Sequence, residues 1–346
     1  MIPQLERLQT GCHALDLLTD GGLPTGTITQ IFGEKALGKS ILSLQAAYST
    51  VAAGHSAVIL DTEQSYFSYL VGYRRPGFEQ RFGDKVQVKE VKLQRTTRSA
   101  RKKDMPVSRS ELVNSLSSTL DRIGVSYNDN HLAAIAEVLS PDFTIDLGED
   151  EKEPAIFVVQ LPDVIDLLAL HGHDVQKIVS EGGRVELRLK SSPVYESALH
   201  NMVEQTKAKL LVYDSISAPF KASFFGTQDL PARSAGMAIL LAHAQRLCIQ
   251  YGIAVVVTSH ASINPTAAWD RGKPYGGITL GHEAKFSFEL TKHMAKRGEL
   301  VKENSVNPDE WIAKEKDGRA LWVHRHPAIE DWSKFGHAYI DDEGFH

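Results

Sequence analysis

The sequence predicts an α/β fold, a twisted, mainly parallel sheet with helices on both faces, and three observations predict it. GEKALGKS, Gly33 to Ser40, fits G-x-x-x-x-G-K-[ST], the phosphate-cradling loop. Its flanks are strand-like TITQIF and ILSLQAAYSTVAAG, whose Ile41, Leu42, Leu44, Ala47 and Tyr48 recur at helical spacing. Three more stretches, SAVILDTEQS, KLLVYDSISA and GIAVVVTSHAS, are apolar runs ending in polar groups. That is how strands buried on both faces present ligand-facing residues at their C-terminal ends.

Strand, loop, helix is the context that gives the first motif its meaning. The backbone N–H groups of Gly33, Glu34, Lys35, Ala36, Leu37, Gly38, Lys39 and Ser40 face the phosphates of ATP at a helix N-terminus. Lys39 reaches the β and γ oxygens, and the Ser40 hydroxyl holds Mg²⁺. Ala36 and Leu37 stand where such loops often carry smaller or more flexible residues, so the motif leaves open whether ATP is hydrolysed or only held.

The second element, Ala57 to Leu60, delivers Asp61, Thr62 and Glu63 at its end. The third drops Asp214 at the sheet edge, the place for a carboxylate that orients Mg²⁺ through its water shell. The fourth ends at Thr258, Ser259 and His260. A single carboxylate after a strand is more often a helix cap than a catalyst. The conjunction with a phosphate loop gives Glu63 and Asp214 the catalytic reading.

Composition sets the outer limits. The chain has 346 residues, 42% hydrophobic and 23% charged, enough for one large domain or two modest ones. A net charge of −5 and a pI near 6.3 restrict any nucleic-acid contact to a local patch. Cys12 and Cys248 are too few and too far apart for a disulfide framework and read as small apolar filler in a reducing compartment. No apolar run reaches the length of a membrane span, and MIPQLERLQTG lacks the core of a signal peptide, so a cytoplasmic protein without membrane contact is expected.

LQTGCHALDLLTDGGLPTGTITQIFGEKALGKS resembles the opening of the RecA/RadA core, and ILDTEQSYF is similar to that family's Asp-Thr-Glu strand. LVYDSISAPF, FFGTQDLPARSAGMAILLAHAQRLCIQYGIAVVVTSH and PYGGITLGHEAKFSFEL follow in the family's order. Together these segments cover about residues 5 to 70 and 185 to 345. The resemblance implies a RecA-like P-loop ATPase core in which Glu63 activates the attacking water and Asp214 orients Mg²⁺. The core is expected to open the chain without a preceding helical DNA-binding domain or Phe-x-x-Ala linker, which makes the archaeal RadB-type core-only paralogues the nearer expected likeness.

The chain also departs from the family's pattern. Where strand-exchange proteins place Asn-Gln, it has Ser259 and His260, which makes His260 a candidate γ-phosphate sensor with a different reach and a pH-dependent charge. The first DNA loop has Thr227, Gln228 and Asp229 at its tip, with Arg233 the nearest cation. The second keeps Arg271 and Lys273, with Trp269 and Tyr275 able to stack on bases or to pack on the domain. HRHPAIED, 324–331, stands where a cap completing a neighbour's site would lie, with Arg325 as its cation.

Glu63 and Asp214 stand 151 residues apart, where a βαβ crossover with one further strand needs about 60. The core is therefore placed at 1–74 and 156–346, with an insertion at 75–155. The insertion holds a basic run, RTTRSARKKDMPVSR, two helix-periodic stretches and an acidic DLGEDEKE. The basic run reads either as a phosphate-neutralising patch or as a solvated linker balanced by the acidic run. His171/His173 and His324/His326 lack the spacing of a metal site, and no motif for covalent catalysis occurs.

The expected function is that of a weak DNA-dependent ATPase acting as an accessory or mediator in homologous recombination and repair. Its expected partners are single-stranded DNA, a recombinase protein, or both, with monomer and homo-oligomer both left open and nucleoid association expected if the source is archaeal. The alternative is a nucleotide-gated binding or regulatory protein, KaiC-like or recombinase-binding, with negligible turnover.

Overall fold

The computed structural model describes residues 6–91, 93–96, 142–145, 153–161, 163–172, 175–179, 185–189, 197–224, 229–262, 273–275, 283–292, 300–302, 311–313 and 318–346. Strands β1 (Arg7–Leu8) and β2 (Leu23–Pro24) pair around helix α1 (His13–Leu18). Strand β3 (Ile28–Gly33) runs through the phosphate loop into α2 (Lys39–Ala52). Strand β4 (Ser56–Asp61) leads to a π-helical turn, Tyr66–Leu70, continuous with α3 (Val71–Phe82). There follow β5 (Gln87–Val91), the antiparallel pair β6 (Leu93–Thr96) and β7 (Asp142–Ile145), then β8 (Ala155–Gln160) and α4 (Val164–Leu170). A second antiparallel pair, β9 (Val175–Val179) and β10 (Val185–Leu189), precedes α5 (Ala198–Thr206), β11 (Ala208–Asp214), α6 (Ala218–Ser223) and α7 (Leu230–Tyr251). The rest comprises β12 (Ala254–Ser262), β13 (Lys273–Pro274), β14 (Phe286–Lys292), the pair β15 (Leu300–Lys302) and β16 (Trp311–Ala313), and β17 (Gly318–Arg325), β18 (Phe335–Asp341) and β19 (Gly344–Phe345).

One sheet organises the molecule, in the order β19-β18-β17-β14-β3-β12-β11-β4-β8-β5. From β14 to β5 every neighbouring pair is parallel, and β17 to β19 extend the β14 edge antiparallel. The apolar runs are the central strands because both of their faces are covered. On β4, Ile59 enters the layer holding Tyr48 of α2 and Phe78 of α3, while Val58 and Leu60 enter the layer holding Leu167 of α4, Met202 of α5 and Leu240 of α7. This is the RecA-like α/β architecture expected from the sequence. Cys12 and Cys248 are buried and unpaired, and burial pushes both thiols up to about 12.

Residue 75, where the insertion is expected to begin, lies within α3, and β5 is hydrogen-bonded to β8 at the edge of the sheet. Gln87-Val-Lys-Glu-Val carries no apolar run because an edge strand is covered only in part; Gln87 and Glu90 are exposed and Val91 is buried. The basic run beyond residue 96, both helix-periodic stretches and most of the acidic run lie outside the described residues.

The hairpin β18–β19 is clamped onto the phosphate-loop helix. Gln45 of α2 accepts from Phe345 N–H at 2.6 Å and donates to the Phe345 carbonyl at 3.0 Å. Arg81 of α3 donates to the carbonyls of Phe345 (2.7 Å) and Gly11. Approach is so close at Gly77 that a Cβ there would lie 2.0 Å from the Asp342 carbonyl oxygen.

Candidate active site

The parallel strands deliver the predicted residues to one edge of the sheet. β3 ends at Gly33, whose backbone sits against β14 so tightly that a Cβ would come within 2.2 Å of the Leu290 carbonyl oxygen. Beyond it Ala36 takes a left-handed φ of 64° and Gly38 a φ of 103°. The first costs an alanine about 1–2 kcal/mol. Leu37 turns inward, 8% exposed, into the core beside α2, and Arg319 of β17 donates to its carbonyl at 3.0 Å. Leu37 is thus an anchor that leaves Glu34, Lys35 and Ala36 exposed at the crest.

Lys39 opens α2 and is 7% exposed. Its ammonium donates to the carbonyls of Gly33 at 3.0 Å and Glu34 at 2.7 Å, folding the side chain back over the loop. Burial lowers its pKa, and the charges of Asp214, Glu63 and Glu34 oppose that shift. Asp214, at the end of β11, is 3% exposed. Its carboxylate accepts from Tyr66 Oη at 2.8 Å, from the Thr258 hydroxyl and from the Ser40 hydroxyl. Burial nevertheless raises its pKa, the hydrogen bonds pulling the other way. Ser40 hydroxyl and Asp214 carboxylate are hard oxygen donors meeting at the mouth of the loop, a donor set that fits Mg²⁺.

Glu63 lies on the turn after β4. Its Oε1 is 3.3 Å from His260 Nε2, at the end of β12. The bond to His260 holds the Glu63 carboxyl below the usual glutamate range, against the effect of burial. Asp61, two residues earlier, plays a different part, because its carboxylate accepts from the N–H groups of Glu63 (3.2 Å), Ser65 (3.2 Å) and Tyr66 (3.0 Å). It caps the turn that presents Glu63.

Several members of the site fall outside the motifs of the sequence. Tyr66, fully buried, reaches Asp214 from 148 residues away. Thr62 Oγ1 donates to the Ser215 carbonyl at 2.7 Å, and the Asp214–Ser215 peptide is cis. Behind His260, Gln30 of β3 donates to Ser259 Oγ at 3.2 Å and accepts from Ser287 Oγ at 2.9 Å, all three wholly buried. A cleft of about 300 Å³ adjoins the loop, lined by Ala36, Gly38, Tyr73, Arg74 and Arg319 among others.

Of the residues expected in the DNA loops, Arg233 and Tyr275 come together. The Arg233 guanidinium bonds the Tyr275 hydroxyl and lies 4.6 Å from its ring centroid, and Lys221 Nζ is 5.6 Å from the same centroid. Tyr275 N–H donates to the His260 carbonyl at 2.7 Å. Lys273 is exposed on β13. Thr227, Gln228, Trp269 and Arg271 lie outside the described residues. Asp229 is 8% exposed.

His324 and Arg325 lie on β17 and His326 just beyond it, all partly buried, and burial lowers the pKa of both histidines. His171 is buried against His243 and Tyr213, and His173 lies outside the described residues. Among the described residues no three His, Cys, Asp or Glu side chains form a metal cluster, and no helix is long and apolar enough to cross a membrane.

The burial of Asp214 makes a prediction about stability. A carboxyl whose folded pKa is raised costs the fold more to ionise, so stability declines as pH rises from the unfolded value of about 3.9 to the raised folded value. Without divalent cation, Asp214→Asn is expected to melt higher than the parent near neutral pH, by a few °C if the difference is about 1 kcal/mol. The gap should close toward pH 4. Melting curves with and without Mg²⁺–ATP check this, and a variant less stable than the parent at every pH refutes it.

The Rad51 family model matches residues 187–305, and the KaiC model matches residues 8–133. The "DNA repair and recombination protein RadB" of Methanoculleus marisnigri is 53% identical over 58 residues, 17% of this chain and 26% of that protein. RadB of Halobacterium salinarum is 52% identical over 56 residues, 16% and 24% of the two chains. The "DNA repair protein rhp51" of Schizosaccharomyces pombe is 31% identical over 141 residues, 39% and 37%. The chain thus spans about a quarter of the length of the RadB relatives it matches.

Proposed function

We propose that this chain, a RecA/RadA superfamily member with RadB-like features, binds ATP with Mg²⁺ and hydrolyses it slowly as an accessory protein of recombinational DNA repair. The observation that carries the reading is the convergence of Lys39, Ser40, Asp214 and Glu63 at one edge of the sheet.

Phosphoryl transfer asks a protein mainly for positioning and charge stabilisation. The loop N–H groups hold the phosphates, and Lys39 swings from the Gly33 and Glu34 carbonyls onto the β and γ oxygens. Ser40 and Asp214 hold Mg²⁺, with Tyr66 and Thr258 fixing the Asp214 carboxylate. The metal, when bound, offsets the negative charge of the phosphate oxygens. Glu63, ionised across the neutral range, orients a water and takes its proton. The cleft beside Tyr73 offers room for the nucleoside. DNA, a recombinase protein or further copies of this chain are the proposed partners, with Arg325 reaching a neighbour's site in an assembly.

One observation favours the second reading, a nucleotide-gated binding protein with negligible turnover. Arg233 and Tyr275, two of the residues proposed to meet DNA, are engaged with each other. Steady-state ATP hydrolysis with and without single-stranded DNA, at low and moderate salt, separates the two. Stimulation that weakens with salt is expected for the ATPase. ATP binding without turnover, with or without DNA, would favour the gated binder.

A further inference from the structure

We propose that His260 is a positioning residue for Glu63, holding its carboxylate beside the phosphate loop, and that Tyr275 in turn fixes His260. The proposal rests on the reading of Glu63 as the water-activating group.

Glu63 needs a holder. It sits on an exposed turn, its side chain 36% exposed, and a free glutamate there distributes over several rotamers, so ordering it costs conformational entropy. Two contacts restrain it. One is Ser215, beside the end of β11. The other is His260 Nε2 at 3.3 Å, the dominant influence on the carboxylate.

His260 is well placed to hold it. It pairs with Gly33 in the β12–β3 register, so it leaves the sheet where the phosphate loop begins. Its backbone is held on the other side: the carbonyl accepts from Tyr275 N–H at 2.7 Å, and the Tyr275 ring is flanked by Arg233 and Lys221. The order of contacts is therefore cations, Tyr275, His260, Glu63. Among the described residues, the groups facing His260 are the Glu63 carboxylate from the β4 turn, the Gly33 backbone from β3 and the backbone of Tyr275, the residue after β13. Lys39 and Asp214 stand behind Glu63. With Nε2 on Glu63, the imidazole acts on the carboxylate rather than on a phosphate.

His260→Ala, His260→Gln and Tyr275→Ala test the order. His260→Ala is expected to lower kcat about tenfold or more while leaving the Kd values of ATP and ADP within about twofold of the parent. His260→Gln, whose amide nitrogen reaches the same carboxylate, should restore most of the loss, and Tyr275→Ala should show a smaller fall with unchanged affinities. A readout free of turnover is the Glu63 carboxyl pKa, followed by carbon NMR and assigned with Glu63→Gln. It should rise toward the ordinary glutamate value in His260→Ala, and an unmoved value overturns the proposal. Weakened binding of ATP but not of ADP overturns it as well, because the imidazole would then be touching the γ-phosphate. Turnover that survives in Glu63→Gln is a separate failure, that of the reading on which the proposal stands.

Discussion

Lys39→Ala should weaken ATP binding at least about 100-fold, and ADP binding by less because ADP lacks the γ oxygens, while leaving the fold intact. Charge-assisted hydrogen bonds are worth about 1.5–3 kcal/mol each, and an ammonium over the β and γ oxygens makes at least two. The fold survives because the loop's shape rests on other groups: Leu37 in the core, Arg319 on its carbonyl, Gly33 against Leu290 and the left-handed turns at Ala36 and Gly38. The carbonyls of Gly33 and Glu34 lose their ammonium and turn to water. Titration calorimetry with ATP and ADP, beside a melting curve without nucleotide, checks both halves. Equal affinity in the variant would mean that the loop is not a working cradle.

Glu63→Gln should cut ATP turnover by about 10²- to 10⁴-fold with ATP affinity unchanged. The carboxamide keeps the volume and an acceptor for His260 but cannot take a proton. Because the bond to His260 holds the parent carboxyl below the usual glutamate range, the base is present at every pH near neutrality. Turnover limited by it should fall only in acid, as pH drops through that lowered value. Single-turnover hydrolysis with excess protein measures chemistry without product release. Residual turnover above a tenth of the parent's would assign the water to another group.

The central strands and the polar residues that end them were legible because parallel strands write plainly. Ala57 to Leu60 and the run before Asp214 are apolar throughout, and the polar residue that ends each run is the one the sheet presents. The phosphate loop was legible from Gly33, Gly38, Lys39 and Ser40 in a strand–helix context. β5 was not, since an edge strand alternates and its Lys89 and Glu90 resemble a loop. Tyr66 was not, since its hydroxyl meets Asp214 across 148 residues and nothing local marks the meeting. The aromatic three residues after Glu63 was the available signal. Gln30 sits in TITQIF as a polar residue in a strand, and only its pairing with Ser259 and Ser287 explains its burial. The pairing of Arg233 with Tyr275 was likewise invisible, because the two stand 42 residues apart and nothing local in either segment marks the other.

The clamp between Gln45 and Phe345 spans 300 residues of chain. A ribosome therefore releases the helix that opens with Lys39 long before the segment that braces it has been made. During that interval the loop has its residues but lacks the support of Ile340 and Phe345, whose side chains stand where a Cβ on Gly38 would be. Contacts this distant in sequence close late and slowly. Nucleotide capture should accordingly be a late event in the birth of this protein, acquired when the β18–β19 hairpin docks.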